Sequence, residues 1–565
     1  MIGVIAKDGQ LPLVEEFFEL FKTPWEIWER GRKYDVVLTT RDEGPLPDAG
    51  LVVLFGSRPA SCDTQLAVEP QDYHRSGALA HRIGDLPVYG DLLTFMPAPT
   101  QQAWVTSRQG IAGVCVKRET GLVLRVGYDL FEEVRFLLTV GQPVERAGVP
   151  TLDLHVDLLR NWILRAGISF VEIPPIPDGH DVTVCLTHDI DFVAIRDHKL
   201  DHSMWGFLYR ATIGSARNFV RGRLTARRLL KSWAAAISLP FVYLGWIRDF
   251  WEPFSWYLAT EAGLPATYYL IPFKRRAGEH VPGAAAARRA TAYDVTDIRD
   301  WARRLIAEGC EVGVHGIDAW HDPARGREEM ARVAGVVGGA SLGIRMHWLL
   351  EKADTAAVLE NAGYSYDSTA GYNDTVGFRN GTTQVFRAAG SRTLLELPMH
   401  IQDGALFYPQ KLNLHEAEAE VRCRTLLETV AALGGVITVL WHDRSHGPER
   451  FWGDFYIRLL TNLKAADAWF ATGSQAVNWF RARRRITFRR NEAGNASGIS
   501  VEYQGEPISP RVRLRVHRPS DNHDGLIAPT HFDTAWDGRA AQAVDSLPGQ
   551  SEFGGMRSSH VAAAI

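Results

Sequence analysis

Between residues 181 and about 480 the sequence alternates short apolar runs with amphipathic stretches, and this alternation restricts the fold more than any other feature. The runs are "VTVCLT", "ATYYLI", "CEVGVH", "SLGIR", "LLELPM" and "GVITVLW". Segments such as "DIRDWARRLIAEG" and "TAAVLENAG" separate them with helical spacing. Repeated strand–helix units require crossover connections, so the strands must run parallel in a sheet or barrel. Strands of this kind are buried on both faces and read as continuous apolar runs.

Five of the six runs end in residues that do not belong in a core. His188, Asp189 and Asp191 follow the first strand. His315, Asp318 and His321 follow "EVGV", and Arg345 and His347 follow "SLGI". His400 and Asp403 follow "LLELPM", and His442, Asp443 and His446 follow "VITVLW". A parallel barrel or sheet gathers such ends on one face, where active sites are built. One histidine at a strand end is ordinarily a satisfied structural residue. Five strands ending this way are hard to explain as packing, because buried ionisable groups are costly unless they pair or bind metal.

Asp and His without Cys suit a divalent metal such as zinc. Three protein ligands leave a position for water, whose pKa the ion lowers toward neutrality. A neighbouring carboxylate can take the proton, and a histidine on another strand can protonate a leaving group. The set points to a metal-dependent hydrolase of an amide or ester. Each member also has a bland reading. Asp189 and Asp191 can cap turns, Arg345 can pair with Asp367, and His442 can orient a neighbour. His188, His400, Asp403 and His446 read as site-wall or structural residues. Trp320, Trp348 and Trp441 flank these positions, where they can stack on sugar rings or fill a barrel rim.

"THDID" (187–191), "VGVHGIDAWHD" (312–322), "GIRMHW" (343–348), "YDSTAGYNDTVGFRNGT" (366–382) and "VLWHD" (439–443) occur in this order. Over residues 181–480 the chain thereby resembles the polysaccharide deacetylases, the NodB-homology proteins of carbohydrate esterase family four. It is most similar to the branch with "THDVD" and an extra N-terminal domain. The resemblance implies a distorted parallel β/α barrel and removal of N-acetyl groups from a carbohydrate. It implies Asp189 as general base, Arg345 as its partner and His442 as general acid. It implies a divalent metal, with zinc expected, on Asp191 and His315. The family's second metal histidine lies four residues after the first, where this chain has Ala319. His321, six residues on, is taken as the third ligand, with Asp318 or a water as rivals. His347 stands where the family commonly has proline. The alternatives are a C–N hydrolase of a small cyclic amide or ureide, a non-catalytic glycan-binding relative, and a plain esterase. A His321 distant from Asp191 would favour the binding relative.

The flanking regions are less specific. Residues 1–172 begin with strand, helix and strand ("IGVIA", "LPLVEEFFELF", "DVVLTT") and suggest a small open α/β domain. No GxGxxG follows the first strand, so no dinucleotide site is indicated. "IPPIPDGH" (173–180) is a linker, and the barrel is placed at 181–484. "RITFRRN", "ISVEYQG" and "VRLRVHR" suggest a β module at 485–520. The Gly-, Asp-, Ser- and Ala-rich residues 521–565 read as a disordered tail.

A net charge of −4 gives no general attraction to nucleic acid. Five scattered cysteines without CxxC suit a reducing compartment. With no signal-peptide pattern and no transmembrane run, the expected location is the cytoplasm. From His202 to Arg248 there is no acidic residue. On one continuous helix, Arg217, Arg221, Arg228 and Lys231 would share a face; the ordinary reading is a solvated helix packed on its own barrel, and the alternatives are contact with an anionic membrane through 210–231 or a partner groove.

Overall fold

The computed structural model describes residues 1–42, 44–281, 283–490, 498–519, 530–539 and 541–543. Its central sheet has ten strands. In chain order they are β1 (Val182–Ile190), β2 (Ala266–Leu270), β3 (Glu311–Gly316), β4 (Gly343–Met346) and β5 (Tyr366–Asp367). There follow β6 (Phe386–Arg387), β7 (Leu395–Glu396), β8 (Ile401–Gln402), β9 (Val436–Leu440) and β10 (Ala468–Phe470). All six apolar runs seen in the sequence form strands.

The spatial order is β6-β7-β5-β4-β3-β2-β1-β9-β8, with β10 also paired to β1. Every pair is parallel except β6 with β7. This order forces the sheet to curl. β7 and β8 lie near opposite edges, seven strand intervals or about 34 Å apart in a flat sheet. Yet residues 397–400 alone join them, and a connection of that length spans at most about 18 Å. The joining segment touches both edges. Leu397 N–H donates to Asp367 O at 2.8 Å, and His400 N–H donates to Thr438 O at 3.1 Å. The domain is therefore a distorted β/α barrel.

Alternation along β1 divides its side chains between two environments. Val182, Val184, Leu186 and Ile190 join the core under the surrounding helices. Thr187 and Asp189 face the barrel interior, where Arg345 meets both. At the amino ends of the strands, the helix Gly473–Arg484 closes the interior. Gly473 N–H donates to Thr267 Oγ1 and Ser474 N–H to Glu311 Oε2, each at 2.8 Å.

The N-terminal region contains the expected βαβ unit: Ile2–Ile5, Leu11–Phe21 and Tyr34–Thr39. It is larger than a small open domain, however. Hairpins between residues 69 and 126 extend it to an eleven-stranded mixed sheet. The β module differs too. Thr487–Arg490 pairs with Ile499–Glu502, while Val512–Arg518 enters a separate sheet between Phe170–Glu172 and Thr530–Trp536. The strand at 530–536 carries the module past residue 520. Most of the expected tail lies outside the described residues.

The basic segment forms a long excursion between β1 and β2. It is not one helix: Ser215–Val220 and Ala226–Tyr243 are separated at Gly222, whose φ is +71°. Thr225 caps the second piece by accepting from Arg228 N–H. Arg217 and Arg221 thus belong to the end of one helix, and Arg228 and Lys231 to the start of another, so the single basic face does not form. Arg228 is also committed to Glu416 and Asp454, at 2.7 and 2.6 Å. Among the described residues no helix is long and apolar enough to cross a membrane.

Candidate metal centre

Parallel pairing sets the level of each functional side chain. His315 is in register with Arg345 on the next strand, and Asp189 with Tyr269. Asp191 follows β1, His347 follows β4, and His442 lies two residues beyond β9. These residues and Asp443 line a hollow of about 190 Å³ at the carboxyl end of the barrel.

Asp191, His315 and His347 each present one ligand atom, and these atoms all lie within 4.8 Å of one another. Asp191 Oδ1 is 3.4 Å from His315 Nε2 and 3.3 Å from His347 Nε2. That oxygen is buried and has no hydrogen-bond partner among the described residues. His315 Nδ1 faces Arg345 O at 3.0 Å. A carbonyl only accepts, so Nδ1 carries a proton, which leaves Nε2, facing Asp191, as the ring's ligand atom. Burial pushes His347 down to about 3 against the pull of Asp191, which favours the neutral imidazole a metal requires. Two imidazole nitrogens and a carboxylate oxygen lacking a donor fit a divalent cation.

The structure corrects the third ligand. His321 is not in the cluster. Its Nε2 lies 3.3 Å from Asp318 Oδ1, and its ring packs on His280 and Trp320. Asp318, the rival, is also engaged away from the cluster, accepting from Glu279 N–H at 2.9 Å. His347 completes the set because it stands two residues after Arg345 at the end of the strand beside His315. Buried Arg289 ties these strand ends together, donating to Ile317 O at 2.8 Å and His347 O at 3.1 Å. The two residues after His347, Trp348 and Leu349, have φ of +67° and +53°. Such backbone is costly for these side chains and concentrates at functional sites.

Beside the cluster, Arg345 Nη1 donates to Asp189 Oδ1 at 3.0 Å and Thr187 Oγ1 at 2.8 Å. Its other nitrogens bond Ser368 O and Oγ. Asp367 instead accepts from Thr369, so the Arg345–Asp367 pairing does not form. His315 Nε2 is 3.8 Å from Asp189 Oδ2, which places Asp189 against the same cluster.

On the far wall, His442 Nδ1 meets Asp403 Oδ1 at 2.5 Å. Asp403 also accepts from His442 N–H and Ser445 Oγ–H. Burial opposes charge on His442, but Asp403, with Asp191 and Asp189 behind it, raises its pKa to about 10. Sequence reasoning left Asp403 as a site-wall or structural residue, with no role toward His442. Its own signal, an Asp three residues beyond a strand-end His, was visible but not specific.

The remaining polar strand ends are structural. His188 lies on the helix-facing side, between Glu261 at 2.7 Å and Trp441 O at 2.9 Å, under Tyr257 and Tyr268. His400 receives Thr438 N–H, and burial pushes it down to about 4. His446 stacks on Trp256. Of the three tryptophans, Trp441 is core, stacked on Phe455. Trp320 packs on His321, and Trp348 is exposed at the hollow.

Fold and site together define a β/α-barrel protein with a His–His–Asp cluster beside an arginine-held aspartate. No family model and no curated protein matches the sequence. Among solved structures the chain is similar to Agd3, a carbohydrate deacetylase. The identity is 10% over 96% of this chain and 98% of that one, with a TM-score of 0.37. It is similar to a Mycobacterium smegmatis protein assigned to the polysaccharide deacetylases, at 18% identity over 57% and 99% of the two chains and a TM-score of 0.33. It is also similar to PuuE allantoinase, at 15% identity over 55% and 93% and a TM-score of 0.31. Values this low carry no inference about activity.

Proposed function

We propose that the protein is a metal-dependent hydrolase that removes N-acetyl groups from a carbohydrate. The observation that carries this reading is the convergence of three assemblies on one hollow. They are the Asp191–His315–His347 cluster, the Asp189–Arg345 pair and the His442–Asp403 pair.

Asp191, His315 and His347 would hold a divalent ion, with zinc favoured by the donor set, and the ion would supply Lewis acidity toward an amide oxygen and an attacking water. Asp189, against the cluster and aimed by Arg345, takes a proton from the attacking water. His442, held protonated by Asp403, gives a proton to the departing amine. The products are acetate and a free amino sugar. Trp348, exposed at the hollow, offers an apolar face for a sugar ring.

The test is hydrolysis by the purified chain of N-acetylated sugars and acetate esters, read as acetate, and of small cyclic amides, read as ring opening, before and after chelation. Acetate is expected from the sugars, to vanish with chelator and return with added Zn²⁺. Turnover of only cyclic amides, or only esters, would replace this reading with one of the alternatives.

A further inference from the structure

A groove of about 460 Å³ adjoins the metal centre, and the two hollows share Tyr408 and Arg450 in their walls. The groove is lined by Arg210, Arg217, Arg221, Arg223 and Arg450. Among the described residues no carboxylate lies within 4.0 Å of any of these five guanidiniums, whereas Arg228 beside them is doubly paired. Of the carboxylates in the same wall, Glu416 holds Arg228 and Arg458, while Glu449 accepts from Trp251 Nε1 through Oε1 and keeps a buried Oε2 without a hydrogen-bond partner among the described residues. Arg223 reaches only the neutral Asn413, at 2.7 Å.

Surface arginines on their own are ordinary solvated charges. Arg210 and Arg450 are not on their own: the Nε of each is buried without a hydrogen-bond partner. Arg450 is fixed over Tyr408 and Trp452, its guanidinium 5.2 and 4.9 Å from the ring centroids. Withdrawing a cation from water is costly unless an anion answers it. Planar guanidinium forks match phosphate oxygens two at a time.

We infer that this groove binds the phosphate of a glycosyl phosphate or diphosphate ester, with the sugar's N-acetyl group at the adjoining metal centre. This rests on the deacetylase reading. It narrows the substrate to an N-acetylated sugar already carrying phosphate. The ester has two sources, a soluble glycosyl diphosphate or a lipid-linked one. The same excursion leaves Leu230, Ile237, Leu244 and Trp246 exposed, so both sources are tested.

The first arm titrates inorganic pyrophosphate into the full-length chain in chelator, followed by calorimetry. Saturable binding is expected, weakened by salt and weakened about tenfold or more by Arg210→Gln with Arg450→Gln. Should that pair misfold, Arg221→Gln with Arg223→Gln, at exposed positions, is expected to weaken binding several-fold. No saturable binding, or binding indifferent to the substitutions, overturns the inference. The second arm compares acetate release from N-acetylglucosamine, its 1-phosphate, and a polyprenyl-diphosphate-linked form in phosphatidylglycerol vesicles. A kcat/KM at least tenfold above the free sugar for either ester supports the inference and identifies the source. Equal values for all three overturn it. Pyrophosphate binding without acetate release from any sugar would instead overturn the deacetylase reading, and with it the N-acetylated substrate, and leave the groove as a phosphate site.

Discussion

Three ionisable residues of one short stretch have three different placements. His188 is structural and faces the helices, Asp189 faces the barrel interior, and Asp191 turns into the hollow. Strand alternation explains the first two, and that much was legible in the sequence. The third ligand was not, because spacing arguments look along one loop. Register places the next strand's end closer than a residue six positions further along. Arg345 is level with His315, and His347 follows Arg345 by two, on the same side of the strand. Replacing Asp189 by Asn is expected to lower kcat by about 10²–10⁴-fold, read from acetate release, with metal content unchanged. The His442–Asp403 pair makes a separate prediction. Asp403 holds His442 protonated up to about pH 10, so activity requiring an acid persists into alkaline solution and falls as pH passes that value. Asp403→Asn removes the charge that opposes burial. The alkaline limb of kcat/KM should therefore move toward neutral pH. An unmoved limb would show that His442 is not the acid.

Among the elements, long apolar strands were legible and most short ones were not. β5, β6 and β8 have two residues each, too few for any periodicity; β7, equally short, showed only through the longer run "LLELPM", and β7 and β8 are what curl the sheet. The N-terminal hairpins were missed for a related reason: strands such as "EPQDYH" are largely exposed and carry little apolar pattern. Gly222 is a third case, since a helical wheel drawn through 217–231 assumes a helix that Gly222 interrupts. Two glycines supply a matched test of local packing. A Cβ on Gly343 in β4 would lie 2.2 Å from the Tyr366 ring, while one on Gly335, within the helix Pro323–Val337, meets nothing within 4 Å. Gly343→Ala should cost about 1–3 kcal/mol, and Gly335→Ala should gain about 0.5–1 kcal/mol. Urea midpoints moving in opposite directions would confirm both. A neutral Gly343→Ala would mean that β4 and β5 pack less tightly than the structure shows.

Across the whole molecule, the N-terminal sheet is bound to the barrel through buried charge. Arg483, 1% exposed, donates to the carbonyls of Glu19, Leu20, Ile173 and Pro174. Arg484 and Arg387 meet Glu16, which is 2% exposed. Arg483→Met leaves several buried carbonyls without a donor, each worth about 1–3 kcal/mol. The expected result is a markedly lower urea midpoint, with both regions still melting in one transition. Glu16 adds a pH dependence. Burial opposes its ionisation, but Arg484 and Arg387 outweigh burial and hold its pKa below 4.5. The unfolded chain therefore takes up the proton first, and the contribution of Glu16 is present above pH 4.5 and lost as pH falls below it. Glu16→Gln should flatten the acid side of the stability profile. An unchanged slope would remove Glu16 from the account.

The central claim is that Asp191, His315 and His347 hold one divalent ion. Metal content per chain, measured on protein purified without chelator, tests it most directly. The expected result is about one ion for the unaltered chain and for His321→Ala, and near zero for His347→Ala, with all three folded by circular dichroism. Metal retained in His347→Ala and lost in His321→Ala would contradict the account.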